Sequence, residues 1–372
     1  MTENLIKTKP TERLYSLDAL RGFDMFWIVG GGALIGTLTE ASNWGWLEVI
    51  ENQMHHVSWN GFHFFDLIFP LFMFISGIAI PFAITSKIEK GVAKDSLVRK
   101  IFRRMVLLIV FGYVYNGALR NGFADMRAAS VLGQIGIAYF FSALIVIYTQ
   151  KIRTRIFWLG GILIGIAILQ LMVPVPGFGA GVLTPEGSIN AWIDQHFLPG
   201  RLNDGSFDPE GLLCIVSATS ITLLGTFAGN ILRNNKFAPE KKSLLLLISG
   251  TVLVLVAVGL SPFYPIIKKI WTVPFNILTA GVSFILISLF YYIIDVQGYK
   301  KWTFFFRVIG LNSITIYLGA RIIDFRHMSE FLLGWLANPM EAFGPVIIVV
   351  GLIIAEWLFL YYLYKNKIFL RV

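Results

Sequence analysis

Residues 54–70, MHHVSWNGFHFFDLIFP, hold three of the chain's five histidines, His55, His56 and His63, together with the carboxylate Asp66. They stand at the mouth of an apolar run that continues through 71–84. Titratable groups are costly where a chain enters lipid, so there they are paired or put to use. Histidine changes charge near neutral pH, which suits proton transfer. Taken alone, His56 reads as a general base, an acyl carrier, a metal ligand or a hydrogen-bonded structural residue. Its neighbour His55, the aromatic–amide pair Trp59-Asn60 and Asp66 favour the chemical roles. Asp66, about one turn past His63, would orient a histidine as a carboxylate fixes an imidazole tautomer, or would bond a neighbouring helix end; its partner stays open. A metal site needs three or four ligands. His55 and His56 are adjacent and would face apart on a helix, and HExxH spacing is absent, so no metal is expected.

Other polar residues lie in or beside apolar runs. In LYSLDALRGFD, residues 14–24, Asp18 and Arg21 are three apart and can form an ordinary helix-surface ion pair. The sharper alternative turns the Arg21 guanidinium toward phosphate, to which it bonds bidentately. Gln134, Asn276, Asn312 and Glu356 sit inside apolar runs, where amide side chains commonly join helices. No Walker loop and no kinase or Rossmann fingerprint appears in context.

The elements that must position these groups follow from composition. Only 14% of the 372 residues are charged and 56% are hydrophobic, with mean hydropathy +0.70. Soluble domains carry about 25% charged residues, so the chain is read as an integral membrane protein. Its apolar stretches have the length of spanning helices, roughly 17–25 residues, rather than of barrel strands. The expected fold class is all-α: a polytopic membrane protein with about ten transmembrane helices in one bundle. The helices are expected near 23–39, 62–85, 104–118, 130–149, 156–173, 211–231, 243–260, 273–294, 304–322 and 343–364. The polar N-terminus is too long for a secretory signal. With no repeat and no long linker, residues 1–372 form a single domain, 1–22 being its cytoplasmic N-terminal segment. Cys214 is the one cysteine, which excludes a disulfide framework.

The net charge of +9 does not point to nucleic acid, because its placement follows the helices. Of 31 basic residues, 24 fall on one side of the expected bundle. The other side keeps Arg120, Arg127, Arg201, Lys268, Lys269, Arg321 and Arg326. Basic loops face the cytoplasm, which puts both termini inside an inner (cytoplasmic) membrane and His55 and His56 outside. The longest outer connection, 174–210, is rich in Pro and Gly and is expected to lack regular structure; such connections are functional or disordered. It carries Trp192, His196 and several acids, including Asp208 and Glu210, a mixture suited to covering a polar ligand, the plainer alternative being a solvated loop.

Together these residues resemble the heparan-alpha-glucosaminide N-acetyltransferase family of transmembrane acyltransferases, as a bacterial-type member. The matching pieces are LYSLDALRGFD at 14–24, HHVSWNGFHFFDLIFPLFMFISG at 55–77, SVLGQIGIAYF at 130–140, VPVPGFGAG at 173–181, FDPEGLL at 207–213, GLNSITIYLG at 310–319 and YKNKIF at 364–369. They are ordered and spread over nearly the whole chain.

The resemblance implies acetyl transfer from cytoplasmic acetyl-CoA, as donor substrate, to the amine of a glucosamine-type acceptor outside. The family's reactive histidine, which precedes Ser-Trp-Asn-Gly, falls on His56. Asn60 and Asp66 would serve beside it, and His55, Trp59, Asp208 and Glu210 would meet the acceptor. Arg21 with Asp18, Arg103, Arg104 and Lys301, joined by Gln134 and Asn312, would form the donor side. Two departures stand out. Where the family has a partner asparagine near the end of the first matching helix, this chain has Gly30-Gly31-Gly32, and Gln134 stands near a family arginine. The expected partners are acetyl-CoA, the amino-sugar acceptor, the lipid bilayer and, in a candidate homodimer, a second copy of the chain. The rivals are an N-acetylglucosamine-type sugar permease, for which polar residues on several broken helices would suit a central site, and an O-acyltransferase for an envelope polysaccharide.

Overall fold

The computed structural model describes residues 14–42, 44–122, 126–149 and 151–370. Lys7, Lys9, Arg13 and Arg371, which contribute to the expected orientation, lie outside them. Among the described residues the fold is helical, with isolated backbone bridges and no strands. It is an all-α polytopic membrane protein. Among the described residues eight helical stretches are long and apolar enough to cross a membrane, or nine if one bent pair counts as a span.

Burial sorts the helices into a centre and a rim. The centre is α3 (Phe64–Glu89) and α8 (Leu212–Arg233), each with 78% of its most apolar window buried. Around them stand α1 (Tyr15–Ser42), α4 (Lys94–Tyr115), α5 (Val131–Tyr148) and α10 (Val273–Val296). At the rim, α6 (Ile152–Met172) and α9 (Pro239–Leu260) bury only 17% and 22%. Their outward Phe157, Ile164, Leu255 and Val258 are exposed, which in water would be a liability and in lipid is solvation. Phe74, Leu71, Trp271 and Phe275 fill the centre.

Helices occupy all ten expected positions, with departures that have physical causes. The expected third helix is α4, which starts at Lys94 and carries Arg99, Lys100, Arg103 and Arg104 in its first half; that charge keeps it out of the apolar set. The first helix begins at Tyr15 rather than near 23, so Asp18 and Arg21 lie within it. The expected ninth helix is not continuous. It consists of α11 (Phe304–Leu311) and α12 (Ser313–Ile322), bent by 62° across Asn312, whose φ of −126° and ψ of 33° are not helical. An unexpected helix, α13 (Phe325–Ala337), folds back on α14 (Gly344–Lys365): Ala337 lies against Gly344 and Ser329 against Gly351, the order of an antiparallel hairpin. The connection 174–210, expected to be irregular, contains α7 (Ile189–Phe197), capped by the Ser188 hydroxyl, which accepts from the Ala191 N–H at 3.2 Å. A short α2 (Gly45–Gln53) leads into the histidine segment.

The central pair touches backbone to backbone. A Cβ on Gly77 of α3 would stand 2.1 Å from the Thr222 carbonyl oxygen, and one on Gly225 of α8 would stand 2.2 Å from that of Phe74. Small residues allow this approach in membranes, where packing rather than hydrophobicity joins helices. Gly77→Ala should therefore force the pair apart and cost about 1–3 kcal/mol. Thermal unfolding of the lipid-reconstituted protein should show a clear drop in Tm. Gly259→Ala, at a site with nothing within 4 Å, should show none.

Candidate active site

Asp66 lies in the first turn of α3, and its two carboxyl oxygens do different work. Oδ2 accepts the backbone N–H of His63 at 3.0 Å, tying the chain down where the helix begins. Oδ1 lies 2.8 Å from His56 Nδ1. The carboxylate is fully buried, whereas the His56 side chain is 49% exposed and rests on the Phe65 ring. The sequence left the partner of Asp66 open; it is His56. The loop between them is fixed by His63, whose Nδ1 lies 2.9 Å from the His55 carbonyl oxygen, and by the Gln53 amide oxygen, which accepts the Phe64 N–H.

A residue from the far end of the sequence completes the cluster. Lys268 Nζ stands 3.3 Å from Asp66 Oδ1, 2.8 Å from His56 Nδ1 and 3.2 Å from Nε2. Backbone pairing brings it there: Asn60 bridges Ile267, and the N–H of Gly61, at φ +122°, donates to the Ile266 carbonyl at 2.9 Å. That φ suits glycine and closes the turn toward His63. Burial pulls the Lys268 ammonium below its ordinary range, while Asp66 and Glu210 hold its charge in place. His56 Nδ1 can donate to Asp66 or accept from Lys268, but not both. In the first tautomer Nε2 keeps a lone pair and can take a proton from a ligand; in the second it can only give one.

The loop that carries Lys268 is clamped from below by buried polar side chains. Gln170 and Asn190 both donate to the Ile270 carbonyl, at 2.8 and 3.3 Å. The Cys214 thiol points at the Lys269 carbonyl, and the Ser217 hydroxyl donates to that of Trp271 at 2.7 Å. Trp271 itself is buried at φ +49°, a left-handed conformation that L side chains seldom adopt, and its indole N–H donates to the Pro209 carbonyl. Such strain persists only where the surroundings over-determine it.

His56, Lys268 and Glu210 share the rim of a cavity of about 310 Å³, whose walls include Phe65, Phe69 and Phe72 of α3, Ile135 of α5 and Tyr317 of α12. Glu210 is held by Arg127, which also grips Asp208 through two bonds of 2.7 and 2.6 Å. Asp208 donates its N–H to Asp194, whose other oxygen accepts the Leu212 N–H. Burial, helped by the charge of Asp208, pushes the Glu210 carboxyl up to about 7, against the pull of Arg127 and Lys268. Asp194 is raised to about 6, again mainly by burial.

The remaining expected site residues are scattered. The Asn60 side chain is exposed, and that residue acts here through its backbone bridge. Trp59 donates its indole N–H to Leu183, and His55 approaches Glu51 at 3.8 Å. On the donor side, Arg21 meets Asp18 at 3.7 Å on α1, and Lys301 is exposed in the turn before α11. Gln134 donates to the Cys214 carbonyl, and Asn312 to that of Ile368, which ties the helix break to the C-terminal segment. Of this set only Arg103 and Arg104 line one cavity. Sequence reasoning passed over Lys268 and Arg127 as site residues. The signal was present: both belong to the seven basic residues expected from the sequence on the side where such charges are rare. Among the described residues no group of three or more His, Cys, Asp or Glu is arranged to hold a metal ion.

The fold and this cluster define a multi-pass membrane protein with a histidine–carboxylate–lysine centre at the rim of an apolar cavity. A family model described as a domain of unknown function (DUF5009) matches residues 13–178. The chain is 26% identical to the heparan-alpha-glucosaminide N-acetyltransferase of Homo sapiens over 424 aligned residues, covering 97% of the chain and 60% of the human protein. It is 27% identical to that of Mus musculus over 374, covering 85% of the chain and 56% of the mouse protein. The resemblance to the heparan-alpha-glucosaminide N-acetyltransferase family therefore extends over nearly the whole chain, while the chain spans less than two thirds of the length of these relatives.

The charge balance at the rim can be read by titration. Raised from its ordinary 4.5 to about 7, the Glu210 carboxyl contributes stability that is complete below about 4.5 and is lost as pH rises through about 7. Glu210→Gln cannot ionise, so its curve of Tm against pH should lack that decline. A slope identical to that of the unsubstituted protein across this window would show that Glu210 is not the group responsible.

Proposed function

We propose that the chain is a membrane acetyltransferase that moves an acetyl group from cytoplasmic acetyl-CoA to the amine of a glucosamine-type sugar on the outer side. The observation that carries this reading is the 2.8 Å contact of His56 with a fully buried carboxylate at the rim of an apolar cavity. The similarity to the named N-acetyltransferases supports the reaction class.

In the tautomer that donates Nδ1–H to Asp66, Nε2 carries the lone pair, which an acceptor amine would engage in place of the Lys268 ammonium now 3.2 Å away. The acceptor, having given up its ammonium proton, attacks the thioester carbonyl carbon; the N–C bond forms and the C–S bond breaks. His56 takes the second amine proton and returns it to the departing sulfur, which leaves as CoA thiol. General-base action of this kind supplies roughly 10²–10⁴-fold. In a second route the acetyl group rests on Nε2 between donor and acceptor, with the same overall balance. Lys268 is the donor for the carbonyl oxygen as it becomes an oxyanion, a role for which the exposed Asn60 side chain is less well supported. Glu210, at the cavity rim, faces the cationic amine; Asp208, expected to meet the acceptor, is instead fully buried and bonded to Arg127, which it holds beside Glu210.

His56→Ala should abolish transfer of labelled acetyl from acetyl-CoA to glucosamine in protein that still folds, its Tm lowered only modestly because the His63 N–H and Lys268 still partner Asp66. Lys268→Met should lower kcat by roughly 10²-fold. An acetyl adduct trapped with acetyl-CoA alone, and absent from His56→Ala, selects the two-step route. Near-normal turnover by His56→Ala would sink both routes and favour sugar uptake, for which N-acetylglucosamine transport into vesicles is the assay.

The direction of transfer rests on topology, for which the distribution of basic residues is the support. In the inner membrane, as a single domain with both termini cytoplasmic, reporter fusions near residues 190 and 265 should report the outside. Fusions near 95, 152 and 237 should report the inside. The reverse pattern would put His56 in the cytoplasm and overturn transfer across the membrane.

A further inference from the structure

A second cavity, of about 390 Å³, opens where α3 ends. Its walls are the last turns of α3, the first half of α4 and Tyr139 of α5. Phe65, at the rim of the first cavity, and Lys87, in the second, are 22 residues apart on α3, roughly 33 Å at 1.5 Å per residue. The gap exists because α4 packs along α5 rather than on α3.

The polar lining of this cavity consists of Lys87, Lys100, Arg103 and Arg104, with no acidic residue among the lining groups. Lys87 and Lys100 face one another across it. Arg104 lays its guanidinium on the Tyr139 ring, 4.1 Å from the centroid, and its buried Nε has no hydrogen-bond partner. Other cations have acids or carbonyls at hand: Arg233 is paired with the neighbouring Glu89, Lys269 with Asp204 and Arg127 with Asp208, and Arg155 and Lys242 donate to backbone carbonyls, whereas Arg307, over the Tyr15 ring, shares with Arg104 a buried Nε without a partner. Four cations gathered around one space repel each other unless an anion joins them, and a buried guanidinium nitrogen without a partner is a donor awaiting an acceptor.

We propose that this cavity is a binding site for a phosphate group, held by the Arg103 and Arg104 guanidiniums and neutralised by Lys87 and Lys100. Guanidinium supplies directed, paired bonds to phosphate oxygens, whereas ammonium acts as a movable point charge. Two sources carry this chemistry to such a place: the phosphates of a nucleotide-bearing thiol such as coenzyme A, and the headgroup of an acidic phospholipid. The arrangement of α5 favours the first. Ile135 lines the first cavity and Tyr139 the second, one turn apart on the same face of the helix. A ligand anchored by phosphate at Arg104 could thus run an arm along α5 toward His56. That clause alone rests on the acetyltransferase reading; the phosphate site does not.

The test measures binding, so it survives a protein that transfers no acetyl group. Protein in phosphatidylcholine nanodiscs is titrated calorimetrically with coenzyme A and with its dephospho form. In parallel, protein from phosphatidylglycerol-containing discs is weighed by native mass spectrometry for retained lipid. The Lys87→Ala/Lys100→Ala pair and Arg104→Lys, which keeps charge but loses the fork, are compared with His56→Ala, all checked by melting to be folded. Coenzyme A binding that weakens by roughly tenfold or more in both cavity variants but not in His56→Ala assigns the site to the donor. Loss of retained phosphatidylglycerol in the cavity variants, with coenzyme A binding unaltered, assigns it to lipid. If folded cavity variants match the unsubstituted protein in both assays, the cavity holds no phosphate and the proposal is wrong.

Discussion

One buried carboxylate holds the candidate centre together. Asp66 is excluded from solvent, and an ionised carboxylate there is tolerable only while its oxygens are bonded and a cation stands close. Both conditions are met by parts of the molecule remote from each other in sequence: the backbone of His63, the ring of His56 and the ammonium of Lys268. The start of α3, the approach of the 55–63 loop and the position of the 261–272 loop are therefore consequences of one requirement. Replacing the carboxylate would not only remove a partner of His56; it would release the first turn of the central helix.

The second layer of control lies beneath Lys268. Peptide carbonyls bent away from regular structure must still find donors when buried. In 269–271 they find them on side chains from three helices: Gln170 on α6, Asn190 on α7, and Cys214 and Ser217 on α8. Trp271 completes the arrangement at a backbone angle unusual for its type and ties the loop to the 203–211 segment through Pro209. Glu210, in that segment, is thereby positioned relative to Lys268 by the same set of bonds that positions the lysine.

The helices were legible in the sequence because lipid imposes length and apolarity on them. The histidine–carboxylate pair was legible as a group because Asp66 stands out in an apolar run, but its pairing was not: the irregular loop 57–63 and the start of α3 separate His56 from Asp66, and spacing says nothing about such a path. Lys268 was hidden for a different reason. It reads as a flanking charge in FYPIIKKIW, and only the bridge from Asn60 to Ile267 carries it to the histidine. The break at Asn312 was invisible in a run that stays apolar on both sides; the side chain at the break bonds a partner far downstream, the Ile368 carbonyl. In 174–210, α7 was masked by the glycines and prolines around it, although Ser188 followed by an apolar–polar turn is a capping signal.

The polar bonds beneath the Lys268 loop have a genetic consequence. Gln170, Asn190 and Ser217 are buried and lie away from the cavity rim, so a mutational scan scored by protein abundance would read changes at them only as loss of stability, from carbonyls left without donors. Scored by activity, the same changes should rise to the top, because each loosens a loop whose one duty at the centre is to hold a nitrogen within hydrogen-bonding distance. The map of loss-of-function alleles would then trace a column through α6, α7 and α8 rather than a ring around His56.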